Sequence, residues 1–318
     1  MAKILVTGGS GFIGTNLIDA LLNQNLPVLN LDVAPPKKES HRACWLPVDI
    51  RDYESLHQTI TEFSPTLVIH LAARTDLRSN RLKDYSANTD GVENLLTVLD
   101  TLPELRRVIF ASSMYVCQPG YQPQHGDDYA PHTVYGESKV LTEKIIKEKN
   151  PAYTWTIIRP TSIWGPYFGE PYDLFFKIIL GRKFFHLGQR ACKKTYGYID
   201  NTIYQIMSIL SASPVSVHTK VVYLGDYDPY DISIWANEIA GCVRIRIPTL
   251  PFPLFRVAAK VGDGLQKLKV KFPMTTFRLK NMTTDNILDL SLIRTLAPTL
   301  PVSRLTGTQR TIEWINKR

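Results

Sequence analysis

The chain has 318 residues, 44% hydrophobic and 21% charged, with a formal net charge of +8. That length can bury the core of one large α/β unit or two unequal lobes, and the composition is that of a globular protein rather than a disordered or fibrous one. No run is apolar enough to span a bilayer, and the four cysteines, Cys44, Cys117, Cys192 and Cys242, form no C-x-x-C pair; reduced thiols in a cytoplasmic protein are expected, with no disulfide framework and no metal site.

The charge is uneven. Residues 1–170 carry 16 Lys and Arg against 19 Asp and Glu, whereas residues 171–318 carry 21 against 10. A mildly acidic body followed by a basic second half suits an anionic substrate or surface. No aromatic-basic repeat or recognition-helix motif points to nucleic acid. A strand beginning at residue 3 leaves no room for a signal peptide.

The chain opens on an apolar run, Lys3 to Val6, that ends in Thr7-Gly8-Gly9-Ser10-Gly11-Phe12-Ile13-Gly14. This predicts a buried strand, a tight turn and a helix start. Gly8, Gly11 and Gly14 stand in G-x-x-G-x-x-G spacing: the first for the turn, the second for close approach to a ligand, the third for close helix–strand packing. The N–H groups of the helix start, around Phe12 and Ile13, favour a pyrophosphate. A second strand, Val28 to Leu31, delivers Asp32 where a carboxylate accepts from a ribose 2′-hydroxyl and repels a 2′-phosphate. That favours NAD over NADP. Lys37, Lys38 and Arg42 lie just beyond and argue the other way; they are read as a solvated basic loop.

Cys44 to Val48 predicts a third strand leading to Asp49-Ile50, and Asp52 a cap for a helix through about Phe63. Thr66 to His70 is a buried strand followed by Leu71-Ala72-Ala73, whose small side chains leave room for a ligand at the carboxyl end of a sheet. A helix spans about 85–101, with Val92, Leu95, Leu96 and Leu99 on one face. Arg107 to Ala111 is a strand ending in Ser112-Ser113. Residues 117–131 read as a loop over the site. A helix from about Thr133 to Lys149 carries Tyr135-Gly136-Glu137-Ser138-Lys139. Tyr153 to Ile158 is a strand before Arg159-Pro160.

Past Gly165-Pro166 the pattern loosens. Residues 175–180 and 203–210 read as helices, 196–200 as an extended piece and 221–225 as a strand rejoining the sheet. The alternation of strands and helices predicts a doubly wound (Rossmann) parallel sheet with a smaller mixed α/β C-terminal lobe. The expected division is 1–165 for the NAD-binding domain, rejoined by about 196–235, with 166–195 and 236–318 forming the substrate lobe.

Tyr135 and Lys139 lie four apart on one helix face. An ammonium beside a phenol favours phenolate, which would make Tyr135 a proton acceptor. Ser113, at a strand end, can share a hydrogen bond with the same substrate oxygen. Tyr-x-x-x-Lys alone is a common surface pair; its order behind the glycine turn, Asp32 and the strand-end serine gives it meaning.

These stretches together resemble the extended short-chain dehydrogenase/reductase family, most closely its nucleotide-sugar epimerase/dehydratase branch. The likeness rests on Thr7 to Gly14, Asp32, Asp49-Ile50, His70 to Ala73, Asn88, Phe110 to Ser113, Tyr135 to Lys139 and Arg159-Pro160. It covers residues 1–166 closely and the rest in patches. The resemblance implies NAD as cofactor and no metal. It implies Asp49 and Ile50 at the adenine, Leu71, Ala72, Ala73 and Pro160 along the cofactor, and Asn88 supporting the core of the site. Ser113, Tyr135 and Lys139 would be the catalytic triad, with Tyr135 and Lys139 also touching the cofactor and Ser113 and Tyr135 the substrate.

Departures from the family pattern narrow the chemistry. The 4,6-dehydratases carry an Asp-Glu pair where this chain has Met114-Tyr115, so dehydration is not expected. Ser162 stands where many epimerases place an asparagine in the substrate wall. Lys194 stands where relatives use an arginine for the substrate diphosphate, and lacks its bidentate fork. Lys177, Arg182, Lys183, Arg190, Lys193 and Lys194 form an acid-free basic group suited to a diphosphate.

The expected function is epimerisation of a nucleotide sugar, a UDP-sugar at C4, through a transient keto-sugar in glycan or polysaccharide biosynthesis. The alternatives are a keto-sugar reductase or hydroxysteroid-type dehydrogenase, whose pattern Tyr196 to Asn201 echoes, and a non-catalytic NAD-sensing protein. By analogy with relatives the chain would be a homodimer through the helices at about 85–101 and 133–149. A helix from about Leu254 to Lys269 sets Arg256, Lys260 and Lys267 on one face and Leu254, Val257, Val261, Leu265 and Leu268 on the other, with Lys269 and Lys271 continuing the charge. Packing of that apolar face on the lobe is the preferred reading, and contact of the 254–271 segment with an anionic membrane the alternative.

Overall fold

The computed structural model describes residues 2–170, 172–188, 190–267, 270, 272 and 274–317. Its centre is a seven-stranded parallel sheet. The strands are β1 (Ile4–Thr7), β2 (Val28–Leu31), β3 (Trp45–Leu46), β4 (Leu67–His70), β5 (Arg107–Ala111), β6 (Thr154–Pro160) and a last strand, Lys220–Leu224. Their spatial order is the last strand, β6, β5, β4, β1, β2, β3. Parallel neighbours need crossovers, supplied by helices α1 (Phe12–Leu22), α2 (Tyr53–Phe63), α3 (Asp90–Leu99) and α4 (Val134–Lys149). Strand order reverses between β1 and β4, which opens a crevice at their carboxyl ends.

Local chemistry sets these elements. Asp52 caps α2, its carboxylate accepting from Ser55 N at 3.3 Å. Thr133 caps α4 in the same way, accepting from Gly136 N at 3.0 Å. Val92, Leu95, Leu96 and Leu99 bury one face of α3. β1, β4 and β5 are covered on both faces, so Ile4 to Val6, Val68, Ile69 and Val108 to Phe110 are all buried; this is why the strands read as continuous apolar runs rather than alternating ones.

Several boundaries differ from expectation. The strand expected over Cys44 to Val48 is reduced to Trp45–Leu46, since Cys44 closes a 3-10 turn, Glu39–Cys44. The helix expected over 85–101 is a 3-10 turn, Leu82–Asn88, followed by α3. Thr89 leaves helical geometry at φ −119°, ψ −80°, because the Asn88 side chain is engaged with the backbone of Arg74. β6 runs on through Arg159-Pro160, since Lys220–Leu224 pairs with Thr156–Pro160. Tyr196–Tyr198 is a strand beside Ser162–Trp164 and the following helix starts at once, at Ile199.

The helix expected over 254–269 spans Phe252–Lys267; Leu268, Lys269 and Lys271 lie outside the described residues. It packs inward with Ala259 and Gly262 and leaves Leu254, Val257 and Val261 exposed. The helix packs on the lobe as expected, against the neighbouring helix Thr276–Thr283, but through Ala259 and Gly262 rather than through its apolar stripe.

Candidate active site

A cleft of about 580 Å³ lies over the carboxyl ends of the sheet. Its wall begins at the turn after β1. Gly8 takes φ +75°, closed to most side chains, and a Cβ there would meet Ala72 N at 2.5 Å. A Cβ on Gly14 would meet Gly8 O at 2.4 Å, so the third glycine sets how closely α1 packs on the turn. Gly11 is the N-cap of α1, without a side-chain cap and with no acid in the first turn. The helix N-terminus is left as a seat for an anion.

Asp32 lines the same end of the cleft. Its carboxylate accepts from Ser10 N and Ala34 N, each at 2.9 Å, which fixes it beside the glycine turn. The cations that argued for a 2′-phosphate are engaged elsewhere. Lys38 pairs with Asp19, Lys37 donates to Tyr167 O at 2.9 Å, and Arg42 meets Glu39 at 2.7 Å. Asp49, Ile50, Leu71, Ala72, Ala73 and Pro160 also line the cleft. The uncapped helix start, the acid on β2 and the small residues after β4 fit a dinucleotide laid across the strand ends.

At the other end stand Ser113, Tyr135 and Lys139. Ser113 follows β5 and its hydroxyl accepts from Tyr115 N at 3.1 Å. Ser113 and Tyr135 line the same end of the cleft. Burial pushes the Tyr135 phenol up to about 12; the nearby Ser113 hydroxyl opposes this in part, and the phenols of Tyr115 and Tyr85 add to it. The lowering expected from Lys139 is thus overturned. The Lys139 ammonium donates to Ala111 O at 2.9 Å, and burial pulls it down to about 8, with Glu143 opposing.

Beneath them His70 is held neutral. Burial, with the charge of Lys139 second, pulls it to about 3, and Nδ1 lies 2.7 Å from Thr7 Oγ1.

Not every expected residue reaches the cleft. Asn88 lies below it, accepting from Arg74 N at 2.8 Å and donating to Arg74 O at 3.0 Å and Ser138 Oγ at 2.9 Å; it braces the Ala73–Arg74 segment against α4. Ser162 lies outside the described lining of the cleft, in the short strand beside Tyr196–Tyr198. Lys194 donates to Asn281 O at 2.7 Å, and burial lowers its pKa. Lys177 pairs with Asp173 at 2.8 Å, and Arg190 lies over the Phe252 ring at 4.0 Å. The six cations expected to meet a diphosphate are absent from the described lining, whose cations are Arg51, Arg74 and Lys139.

Other lining residues had no local signal. Tyr172 comes from the irregular stretch before Leu174–Leu180, and its phenol is raised by burial and then by Tyr135 and Tyr115. Tyr115 packs its ring 5.8 Å from that of Tyr135 at 62° and stacks on His132 at 5.6 Å. Arg74 was hidden behind the Ala-Ala pair. The Tyr196–Asn201 stretch serves as a joint: Asn201 Nδ2 donates to Asp226 Oδ1 and Val302 O, each at 2.9 Å, and its Oδ1 accepts from Val302 N at 3.0 Å.

The model of the NAD dependent epimerase/dehydratase family matches residues 4–218. A curated relative, N-acetyl-alpha-D-glucosaminyl-diphospho-ditrans,octacis-undecaprenol 4-epimerase of Escherichia coli O157:H7, is 27% identical over 98% of this chain and 95% of its own. A 3-beta-hydroxysteroid dehydrogenase of Mycolicibacterium neoaurum is 25% identical over 86% of this chain and 78% of its own. Among solved structures, the UDP-glucose 4-epimerase of Thermotoga maritima with UDP-glucose superposes with a TM-score of 0.76 at 19% identity, covering 99% of both chains.

Proposed function

From the premise that the chain belongs to the NAD dependent epimerase/dehydratase family, we propose that it is an epimerase acting at C4 of a diphosphate-linked sugar, with a UDP-sugar the first substrate to test. The observation that carries this reading is the gathering of Ser113, Tyr135 and Lys139 at one end of the cleft, next to Met114-Tyr115, which offers no carboxyl group for dehydration. NAD, when bound, accepts a hydride and returns it.

The chain's own residues divide the remaining work. Gly8, Gly11, Phe12, Ile13 and Gly14 hold the pyrophosphate, Asp32 the adenine ribose, Asp49 and Ile50 the adenine, and Leu71, Ala72, Ala73 and Pro160 the length of the cofactor. Tyr135 exchanges a proton with the sugar hydroxyl, and Ser113 shares that hydrogen bond. Lys139, whose ammonium is poised near neutrality, holds the nicotinamide ribose. Asn88 acts from below, keeping Arg74 and α4 in register. Epimerisation would require the cleft to let the keto-sugar turn and present its other face. The segments 166–195 and 236–318 form the substrate lobe, and the protein works as a cytoplasmic homodimer through α3 and α4. A polyprenyl diphosphate in place of the nucleotide is supported by the substrate for which the Escherichia coli relative is named.

The test is incubation with UDP-glucose or UDP-N-acetylglucosamine, reading the C4 epimer by NMR and reduced nicotinamide by absorbance. Isomerised sugar without net cofactor change is expected. A stoichiometric cofactor change would replace this reading with the net oxidoreductase suggested by the steroid-dehydrogenase relative.

A further inference from the structure

The helix Phe252–Lys267 has three faces. One packs inward, with Ala259 1% exposed and Gly262 buried. A second is apolar and faces out: Leu254 is 56% exposed, Val257 63% and Val261 51%. Their spacing of three and four residues makes one continuous stripe. The third carries Arg256 and Lys260, both exposed and one turn apart. Beyond the helix, Val270, whose N donates back to Leu265 O at 3.0 Å, is also exposed, at 50%.

Such a stripe is unusual on a water-facing helix, since apolar surface of this kind is normally covered. Its surroundings select the cover. Residues 244–280 carry nine Lys and Arg and a single acid, Asp263, which is turned inward to accept from Thr276 N at 2.9 Å. A second copy of the chain would bring like charges together. Nucleic acid would meet the cations but offer no apolar phase. An anionic bilayer surface offers both, phosphate at headgroup level and acyl chain just below it.

We propose that this helix docks the protein peripherally on anionic membranes, burying Leu254, Val257 and Val261 among the lipids while Arg256 and Lys260 meet headgroup phosphates. The inference goes beyond the epimerase reading and does not depend on it. Hydrogen bonds tie the docking helix toward the cleft: Asp263 to Thr276, Asn281 O to Lys194, and Asn286 to Gly120 in the loop beside Tyr115.

The experiment is flotation of the full chain with vesicles of phosphatidylcholine alone and with added phosphatidylglycerol, without any sugar substrate. Wild type should float with the anionic vesicles, less so in high salt, and stay down with the neutral ones. The exposed pair V257E/V261E should lower the partition coefficient about tenfold. R256Q/K260Q should lower it about thirtyfold, at roughly 1 kcal/mol per cation. Thermal melts check that the variants fold; where one does not, the other variant and the wild-type salt series decide. No flotation, flotation undiminished in the variants, preferential retention on duplex DNA, or a change of molar mass by light scattering in V257E/V261E with vesicle binding intact would each overturn the proposal. The sugar assay is read separately, so an inactive protein that floats sinks only the epimerase reading.

Discussion

The ammonium of Lys139 is anchored to the carbonyl oxygen of Ala111 at 2.9 Å. The residue that shares a helix face with Tyr135 is thus held against the end of β5, buried to 3% exposure, and its charge is costly there. Folding lowers its pKa from 10.5 to about 8. As pH rises from about 8 to 10.5, the native state releases a proton that the unfolded chain keeps, and stability rises with pH. The gain is about 3 kcal/mol over that window. Tyr135, raised from 10 to about 12, acts with the opposite sign only above pH 10. Cys44, Cys117, Cys192 and Cys242, whose thiols burial pushes up, act with the opposite sign in the same range, so the test is the wild-type minus Lys139→Met difference in urea unfolding; it should rise across the window, and a flat difference would contradict the burial of a charged Lys139.

Tyr135→Phe keeps the ring that packs against Tyr115 and Tyr85 and removes the hydroxyl that shares the end of the cleft with Ser113. Turnover should fall by about 10²- to 10⁴-fold, with NAD content unchanged by mass spectrometry of the denatured protein. Full activity would remove Tyr135 from the reaction.

Asp32→Ala should weaken NAD binding by about 10- to 150-fold, the worth of a charge-assisted hydrogen bond, and narrow the preference over NADP. Fluorescence titration with both nucleotides reads this. An unchanged ratio would mean that the carboxylate serves only to hold Ser10 and Ala34.

Arg159 and Glu143 are joined by two hydrogen bonds, 2.8 and 2.7 Å, with side chains 1% and 0% exposed. The pair clamps β6 to α4 one turn past Lys139, and Arg159 also donates to Gly126 O in the 117–131 loop at 2.7 Å. Arg159→Leu leaves Glu143 buried against Tyr129 without its partner, and should cost about 3–5 kcal/mol in chemical denaturation. The double change R159L/E143L should recover at least half of that. A single variant as stable as wild type would show that the carboxylate is compensated by Lys147 alone.

Much of the site was legible because its requirements are local. A left-handed Gly8, a helix starting at once after it, an acid closing β2 and four-residue spacing on α4 are demands that neighbouring residues place on one another. Buried parallel strands likewise declare themselves as apolar runs. Partners across the fold leave no such trace. Nothing near Lys194 in the chain announces Asn281, nothing near Lys139 announces Ala111, and Tyr172 enters the cleft from a stretch without periodicity. Helical spacing marked an apolar face on the segment 254–265 but carried no word on whether anything would cover it. The sequence by itself determined the sheet, its nucleotide turn and the Tyr135–Lys139 helix, since short-range backbone geometry dictates these. Only the tertiary structure decided which cations are already engaged, how burial moves the pKa of Tyr135 and Lys139, and which apolar stripe faces outward, because desolvation and pairing depend on elements brought together from distant parts of the chain.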